Sequence, residues 1–423
     1  MIDLQHIRDD SQGVIRRYAV RQFDASDLVH RIKELDIERR QAQKQLDDTL
    51  AEANALARSI GELFKSGKGQ EAATLKERSG ELKQLSKALQ TSLDAAAGEL
   101  DELMTRLPML PHPLVPPGNS EADNVVIREE GSMPKLHPGA MPHWELAKKH
   151  RLIDFEAGTK VTGAGFPVYT GQGARLQRAL ISFFLDEATR AGYTEVQPPL
   201  MVNPASAFGT GQLPDKDGLM YHVPAEDLYL IPTSEVPVTN ILRDTILEEK
   251  ELPVKYTAYS VCFRREAGSY GKDVRGLNRL HQFDKVEIVQ VCHPGKSYAA
   301  LDEMVAYVAS LLEKLELPFR IVRLCGGDLG FASALTYDME VYSAAQERWL
   351  EVSSISNFET YQSQRMKLRF RPEKGKNQLA HTLNGSALAL PRIVAALLEN
   401  HQSDSGISLP KALQPYMGSE SIR

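Results

Sequence analysis

Between residues 263 and 287 the chain gathers the residue types that suit a bound polyanion. Phe263-Arg264-Arg265-Glu266 opens the segment, a glycine-rich stretch carries Lys272, Arg275 and Arg279, and His281-Gln282-Phe283-Asp284-Lys285-Val286-Glu287 closes it. The pattern predicts a strand, a loop and a return strand. A planar guanidinium can fork onto a phosphate, and a loop dense in cations suits a string of them. Taken alone, the same pattern also describes a solvated basic hairpin. A second run, His381-Thr382-Leu383-Asn384-Gly385-Ser386-Ala387-Leu388-Ala389-Leu390-Pro391-Arg392, reads as a small-residue strand entering a helix that continues to Asn400. Pro391 suits the first helical turn, and the helix dipole favours an anion near Arg392. By itself, an arginine at a helix start is often only surface. In Leu350-Glu351-Val352-Ser353-Ser354-Ile355-Ser356-Asn357-Phe358, Glu351 and Ser354 offer the oxygens that hard cations take. A polar strand face would look similar.

These residues need a scaffold, and the rest of the chain supplies one. Apolar positions Leu28, Ile32, Leu35, Ala42, Leu46, Ala53, Leu56, Ile60 and Leu63 form a heptad seam broken only at Arg39 and Thr49. After Lys65-Ser66-Gly67-Lys68-Gly69 a second seam runs through Leu75, Leu82, Leu85, Leu89, Leu93, Leu100, Leu103 and Leu107. Two equal seams around a glycine turn predict an antiparallel coiled-coil hairpin, each helix roughly 50 Å long, projecting as an arm. Prolines from Pro108 to Pro117 end it. Beyond them, Arg175–Ala191 predicts an amphipathic helix and Thr194–Pro199 a strand. Short strands follow at Leu228–Ile231, Val286–Val289, Phe319–Val322 and Tyr337–Val341. Helices separate only some of these, so the expected class is α+β with an antiparallel sheet. The expected division is an N-terminal domain over 1–107 with its arm at about 27–106, a Pro-rich linker over 108–130, and a catalytic domain over 131–423.

Composition excludes several classes. Charged residues make up 25% and hydrophobic residues 42% of 423, with no run long enough for a bilayer. The opening Met1-Ile2-Asp3-Leu4-Gln5 lacks a secretory pattern, so a cytoplasmic address and no membrane contact are expected. Cys262, Cys292 and Cys325 show no paired spacing, which predicts buried thiols and neither disulfides nor zinc. A net charge of −6 means that nucleic acid, if bound, meets local patches.

The segment over 263–287 closely resembles motif 2 of class II aminoacyl-tRNA synthetases, in the form the seryl-tRNA synthetases carry. Residues 381–400 look like motif 3, and 175–199 like motif 1, the helix and strand of the class II dimer interface. Pro232-Thr233-Ser234-Glu235 resembles the segment lining the aminoacyl pocket, which prolyl enzymes share; Phe208–Pro214 and Leu350–Phe358 match seryl patterns more narrowly. Prolyl, threonyl, histidyl and glycyl relatives end in a sizeable anticodon-binding domain, whereas here 31 residues follow Arg392 and the chain begins with an arm. The closing Leu413–Gly418 extends the resemblance over almost the whole chain. One departure is Leu335 before Thr336-Tyr337-Asp338, where many relatives have lysine, so that position carries no catalytic weight.

The resemblance implies an ATP-dependent ligase that joins L-serine to ATP as seryl-adenylate and passes the seryl group to the 3′ end of tRNA(Ser). Whether tRNA(Sec) is also charged stays open. It implies ATP as substrate, Mg²⁺, no zinc, and a homodimer. By resemblance Arg264 grips the α-phosphate, Glu266 reads the adenine amino group, Leu280 adds a backbone contact, Phe283 stacks on the ring, and Arg392 holds the γ-phosphate. Arg265, Val352 and Ser353 complete the ATP set, with Glu351 and Ser354 on Mg²⁺. Thr233, Ser234, Glu235, Glu287, Asn384 and Ser386 are assigned to serine. An inert paralogue would be expected to have lost Arg264, Glu266 or Arg392, and a pure coiled-coil protein would not need the residues after the linker. Carrier-protein ligases with a seryl-like core usually lack the arm. In the family the arm meets the long variable arm of tRNA(Ser), and Lys65, Lys68, Lys76, Arg78, Lys83 and Lys87 form a local cation excess suited to phosphate contact. For any one of them the alternative is a solvated outer position.

Overall fold

Heptad spacing becomes helix. After α1 (Leu4–Ala19), α2 (Ser26–Lys65) and α3 (Gly69–Arg106) run 40 and 38 residues in the computed structural model. Residues 1–215, 218–266 and 275–423 are described. The chain divides into one unit of Met1–Ala19 with Phe23–Pro108 and another of Val20–Gln22 with Met109–Arg423.

In the first unit, Arg31 bonds Glu99 at 2.9 Å and Arg78 bonds Glu52 at 2.9 Å, two bridges that set one antiparallel register along α2 and α3. Gly67 turns the chain with φ 73°, a left-handed value that glycine adopts without a Cβ penalty. Ile32, Leu35, Leu46, Leu82, Leu100 and Leu107 are buried along the seams. Leu85 is not; it is 47% exposed, and half-buried Ser86 takes the seam position instead. The heptad steps from Leu82 to 86 to Leu89, so leucine at 85 falls one residue off the stripe. Thr49, which interrupts the apolar pattern, is buried and donates its hydroxyl to the Gln45 carbonyl at 2.7 Å. Arg39, the other interruption, reaches Asp36.

Asp36 is a buried carboxylate, and three arginines explain it: Arg8 of α1 forks onto it at 2.7 and 2.8 Å, with Arg39 at 3.2 Å and Arg40 at 3.1 Å. This cluster ties α1 to the base of the hairpin beside Ile7, Val29 and Ile32.

The second unit is built on an eight-stranded sheet: β1 (Val125–Glu130), β2 (Thr194–Glu195), β3 (Val254–Phe263), β4 (Gln282–Cys292), β5 (Phe319–Arg323), β6 (Leu335–Ser343), β7 (Arg348–Asn357) and β8 (His381–Ala389), in the order β1-β5-β6-β7-β8-β4-β3-β2. Every neighbouring pair is antiparallel except β2 with β3. Side chains alternate across each strand. Val286, Ile288, Ile355, Leu383 and Ala387 therefore share one apolar core with residues of α5 (Gly171–Arg190), α7 (Ser297–Lys314) and α8 (Leu390–Asn400), while Glu287, Asn384, Ser386 and Ser356 line a cleft. The short helices α4 (His143–Lys149) and α6 (Glu235–Asn240) complete the set used below.

Three expectations need correction. The segment 108–130 is not a free linker: Met109, Leu110 and Val115 are buried, and β1 pairs with β5, because the prolines stop a helix without preventing burial. The strand expected through Pro199 pairs only at Thr194 and Glu195, since Pro198 and Pro199 have no N–H for a ladder. The motif 1 helix begins earlier, at Gly171. All three cysteines are free and buried, and Leu335 is a core residue.

Asp36→Ala should lower the unfolding free energy by about 2 kcal/mol, less than a fully buried pair because the arginines are partly solvated. The Arg8 hydrogen bond chiefly holds the Asp36 carboxyl below its ordinary range. A depressed acid stabilises above the unfolded-state value and loses that contribution as pH falls through the folded one, so urea curves of wild type and variant should converge below about pH 4.

Candidate active site

The cleft has a volume of about 450 Å³, a buried floor and a more open rim. The floor comes from three places. Thr233 and Glu235 sit where the chain enters α6, Lys285 and Glu287 lie on β4, and Ser356, Asn384 and Ser386 on β7 and β8. Register brings them together: Glu287 is paired with Ser386, and Ser356 with Asn384. Gly385 pairs with both Ile288 and Ile355, and a Cβ there would lie 2.8 Å from Ile355 Cγ1, so the strand can be this close only with glycine.

Floor electrostatics are dominated by two acids and one base. Lys285 is ion-paired to Glu287 and donates to the Thr233 hydroxyl at 2.8 Å, which itself donates to Glu287 at 3.2 Å. Glu235 accepts from Gln362 Nε2 at 2.6 Å. Burial, then the charge of Glu287, pushes the Glu235 carboxyl up to about 7. Asn384 faces the same space, and its buried amide nitrogen has no partner of ordinary geometry.

The rim is cationic and aromatic. Arg264 lies with its guanidinium carbon 5.1 Å from the Phe283 ring centre, and its Nε donates to the Pro232 carbonyl at 3.3 Å. Glu266 pairs with Arg279 at 2.8 Å. Arg392, in the first turn of α8, donates to the Asn278 carbonyl at 3.0 Å and the Glu351 carbonyl at 2.6 Å, with the Glu351 carboxylate 3.5 Å away. A register shift opposite Met339 and Glu340 makes Val352 an extra residue in β7, so Glu351, Val352, Ser353 and Ser354 all reach the rim. Asp338 is paired with Ser354; burial and the Glu351 charge raise its carboxyl well above the usual range, and its Oδ1 has no hydrogen-bond partner.

Most residues singled out in the sequence meet here: Thr233, Glu235, Arg264, Glu266, Leu280, Phe283, Glu287, Glu351, Val352, Ser353, Ser354, Asn384, Ser386 and Arg392 all line the cleft. Ser353 contributes by position, since its hydroxyl is bonded to the Ser386 carbonyl at 2.6 Å. Two do not line it. Ser234 is fully buried against Ser260, and the Arg265 backbone N–H is bonded to Leu219. Adjacent residues on an extended or turning chain face different ways, which leaves these two outside the lining of the cleft their neighbours form. Lys272 lies outside the described residues. Lys285 was missed although the signal existed: Phe283 and Glu287 share a strand face, and period two puts residue 285 between them. Leu277 and Asn278, on the return of the loop, were missed as well, while Arg279, expected as a loop cation, lines the cleft.

In the first unit, Arg78 is already paired with Glu52 and Glu81, Lys68 lies 3.7 Å from Glu71, and Lys76 sits 4.9 Å over the Phe64 ring. Lys65, Lys83 and Lys87 are exposed and form no ion pair among the described residues.

A cleft of this kind on an antiparallel sheet, with Arg264 on one strand end and Arg392 at a helix start, is that of a class II aminoacyl-tRNA synthetase. Residues 221–401 match the tRNA synthetase class II core domain (G, H, P, S and T). Residues 1–111 match the seryl-tRNA synthetase N-terminal domain. The serine–tRNA ligase of Salinibacter ruber is 53% identical over 420 residues, covering 99% of this chain and 98% of that protein, and that of Trichlorobacter lovleyi is 45% identical with the same coverage. Among solved structures, seryl-tRNA synthetase from Pyrococcus horikoshii complexed with ATP superposes with a TM-score of 0.95 at 34% identity, over 100% of this chain and 99% of that one. The Naegleria fowleri cytoplasmic serine–tRNA ligase with AMP gives 0.90 at 26%, with the same coverage. The chain belongs to the seryl-tRNA synthetase family, class II ligases that activate serine with ATP and charge tRNA with it.

The raised Glu235 carboxyl has a stability consequence. Its folded value of about 7 lies above the ordinary 4.5, so the folded state keeps a proton that the unfolded state releases, and stability falls as pH rises between them. Glu235→Gln, neutral throughout, should therefore gain on the unliganded wild type across that window by about 3 kcal/mol, reaching a plateau above pH 7. Thermal melts from pH 5 to 8 read this directly; a difference independent of pH would contradict it.

Proposed function

We propose that the floor binds L-serine and the rim ATP, so that the serine carboxylate attacks the α-phosphorus in line. The carrying observation is the floor: two buried carboxylates share one ammonium, leaving a negative site that the serine ammonium would complete. Glu287 and Glu235 receive the amine, and Thr233, Asn384 and Ser386 orient the carboxylate and hydroxyl. At the rim Arg264 takes the α-phosphate, Arg392 the γ-phosphate, Glu266 the adenine amino group, and Phe283 stacks. Holding both reactants in a near-attack geometry and surrounding the spreading charge with preorganised cations is what lowers this barrier. The ATP found in the Pyrococcus horikoshii relative supports the rim assignment.

Mg²⁺ fits the rim. Glu351 and Ser354 supply oxygens, and behind them the buried Asp338 carboxyl, paired with Ser354, holds one oxygen with no hydrogen-bond partner among the described residues. Such an ion takes its remaining ligands from phosphate and water. When bound it would neutralise phosphate charge. Family membership also carries a cytoplasmic address and a homodimer built through residues 175–199, where Leu200 and Met201 are exposed just past β2. The described helices include none long and apolar enough to cross a membrane. Residues 1–107 form the tRNA-binding domain, and Lys65, Lys83 and Lys87, which make no ion pair among the described residues, offer cations for phosphate.

Arg264→Ala should cut serine-dependent ATP–pyrophosphate exchange by about 10²–10³-fold while leaving the melting temperature near wild type, because among the described residues its side chain makes a single hydrogen bond, a long one to Pro232. Normal exchange would remove Arg264 from the ATP site. The arm is tested by deleting residues 44–86, which face each other across α2 and α3, and joining the ends by a short turn. This spares the Asp36 cluster. Exchange should stay within about twofold and tRNA charging should fall roughly a hundredfold or more. Retained charging would mean that the outer arm does not hold tRNA.

A further inference from the structure

Behind the rim lies a buried polar cluster to which no role has been assigned. His143, at the start of α4, and Glu399, near the end of α8, are both fully buried and bonded at 2.7 Å. The other ring nitrogen of His143, Nε2, receives the backbone N–H of Leu277 at 2.9 Å. A backbone N–H only donates, so Nε2 is the acceptor, Nδ1 carries the hydrogen, and the imidazole is neutral. Burial would raise the Glu399 carboxyl, but donors from the His143 ring, Ser343 and the His143 backbone hold it below its ordinary range. Glu399 is thus an ionised acceptor that fixes the imidazole ring and its tautomer.

The cluster reaches the return of the loop at two further points. Gln346 donates to Glu399 at 3.0 Å, and its oxygen accepts from the Asn278 side-chain amide at 3.0 Å. The Arg275 guanidinium lies 5.7 Å over the ring of Trp144, the residue after His143. Gly276 has φ 69°, and a Cβ there would lie 2.1 Å from His143 Nε2. The backbone of residues 275–278 is therefore pressed onto the imidazole at a place where only glycine fits. Leu277 and Asn278 line the cleft, and the Asn278 carbonyl takes the Arg392 Nε hydrogen. The circuit closes through α8, which presents Arg392 to the cleft from its first turn and, seven residues or about 10 Å on, Glu399 to His143.

We propose that His143 is a positioning residue for ATP binding: by accepting the Leu277 N–H it holds the return of the motif 2 loop against Arg392, and Glu399 and Gln346 hold His143 in that role. This rests on the reading that the rim binds ATP. His143 touches no reactant itself.

Pyrophosphate exchange with the full chain gives KM for ATP and for serine separately. His143→Phe keeps the volume and removes both ring hydrogen bonds; it should raise KM for ATP about tenfold and leave KM for serine within about twofold. His143→Gln, whose amide oxygen can accept from Leu277, should recover most of the loss. Gln346→Met cuts the link to Asn278 from a half-buried position and should raise KM for ATP about threefold, which keeps the test open if His143→Phe does not fold. An unchanged KM for ATP in Gln346→Met or in folded His143→Phe, equal rises for both substrates, or no rescue by glutamine overturns the proposal. Arg392→Ala separates the two levels. If it leaves KM for ATP unchanged, the ATP assignment fails; if it weakens ATP while the folded His143 and Gln346 variants do not, only the positioning role fails.

Discussion

One ammonium between two carboxylates governs the cleft. Lys285 pairs with Glu287 and bonds Thr233, yet Glu235 is buried beside them with no ion pair of its own among the described residues. Burial and the nearby Glu287 charge make Glu235 hold its proton more tightly than an exposed glutamate would. A ligand cation entering the floor would be attracted by both acids and would favour the ionised form of Glu235. Binding of such a cation and protonation of the carboxylate are linked equilibria.

Holding that deficit in place requires a rigid backbone, which the sheet provides. β4 pairs with β3 and β8 along nearly its full length, so Phe283, Lys285 and Glu287 point one way in fixed steps while Val286 and Ile288 are locked into the core behind them. The rim is different in kind. Its pieces come from a loop return, a bulged strand and a helix start, and no ladder joins them. Side-chain bonds from Arg392, Asn278, His143 and Glu399 take over that task, and polar networks of this sort fix geometry only while every member is satisfied.

How far all this could be seen in the sequence follows from the range of each interaction. Heptads are local, and the hairpin was legible, down to its turn; Leu85 misled because hydrophobicity was counted ahead of spacing. The antiparallel α+β class and the strands at 286–289, 319–322 and 337–341 were legible from short apolar runs. The site segments were legible because long motifs bring their own context. Facing was harder: Ser234 and Arg265 neighbour true lining residues but turn away, and Lys285 was overlooked inside a strand whose period would have revealed it. Segment 108–130 read as a linker because proline reports on helix and not on burial. His143, with Leu277 134 residues away and Glu399 256 away, is joined to them only by the fold. Nothing local could have singled it out.

On the proposed reading that the floor takes serine, selectivity for a small hydroxylated amino acid would follow from which floor groups still need a partner. Thr233, Lys285 and Glu287 satisfy one another, so a ligand that ignored them would cost little there. The buried Asn384 amide is different: it bears on the Glu235 carboxyl but its nitrogen has no partner of ordinary geometry, so a ligand that excludes water without offering an acceptor leaves it poorly satisfied. Alanine would fill the floor and supply no hydroxyl, the situation in which polar sites discriminate by ~10⁴-fold or more. Threonine keeps the hydroxyl and adds a methyl, worth only ~1–3 kcal/mol, so its exclusion must come from shape, from the closeness of β7, β8 and β4 where Gly385 lets them meet. Rejecting alanine is thus a matter of hydrogen bonding and rejecting threonine one of backbone packing, and the second depends on a glycine that contributes no side chain to the site.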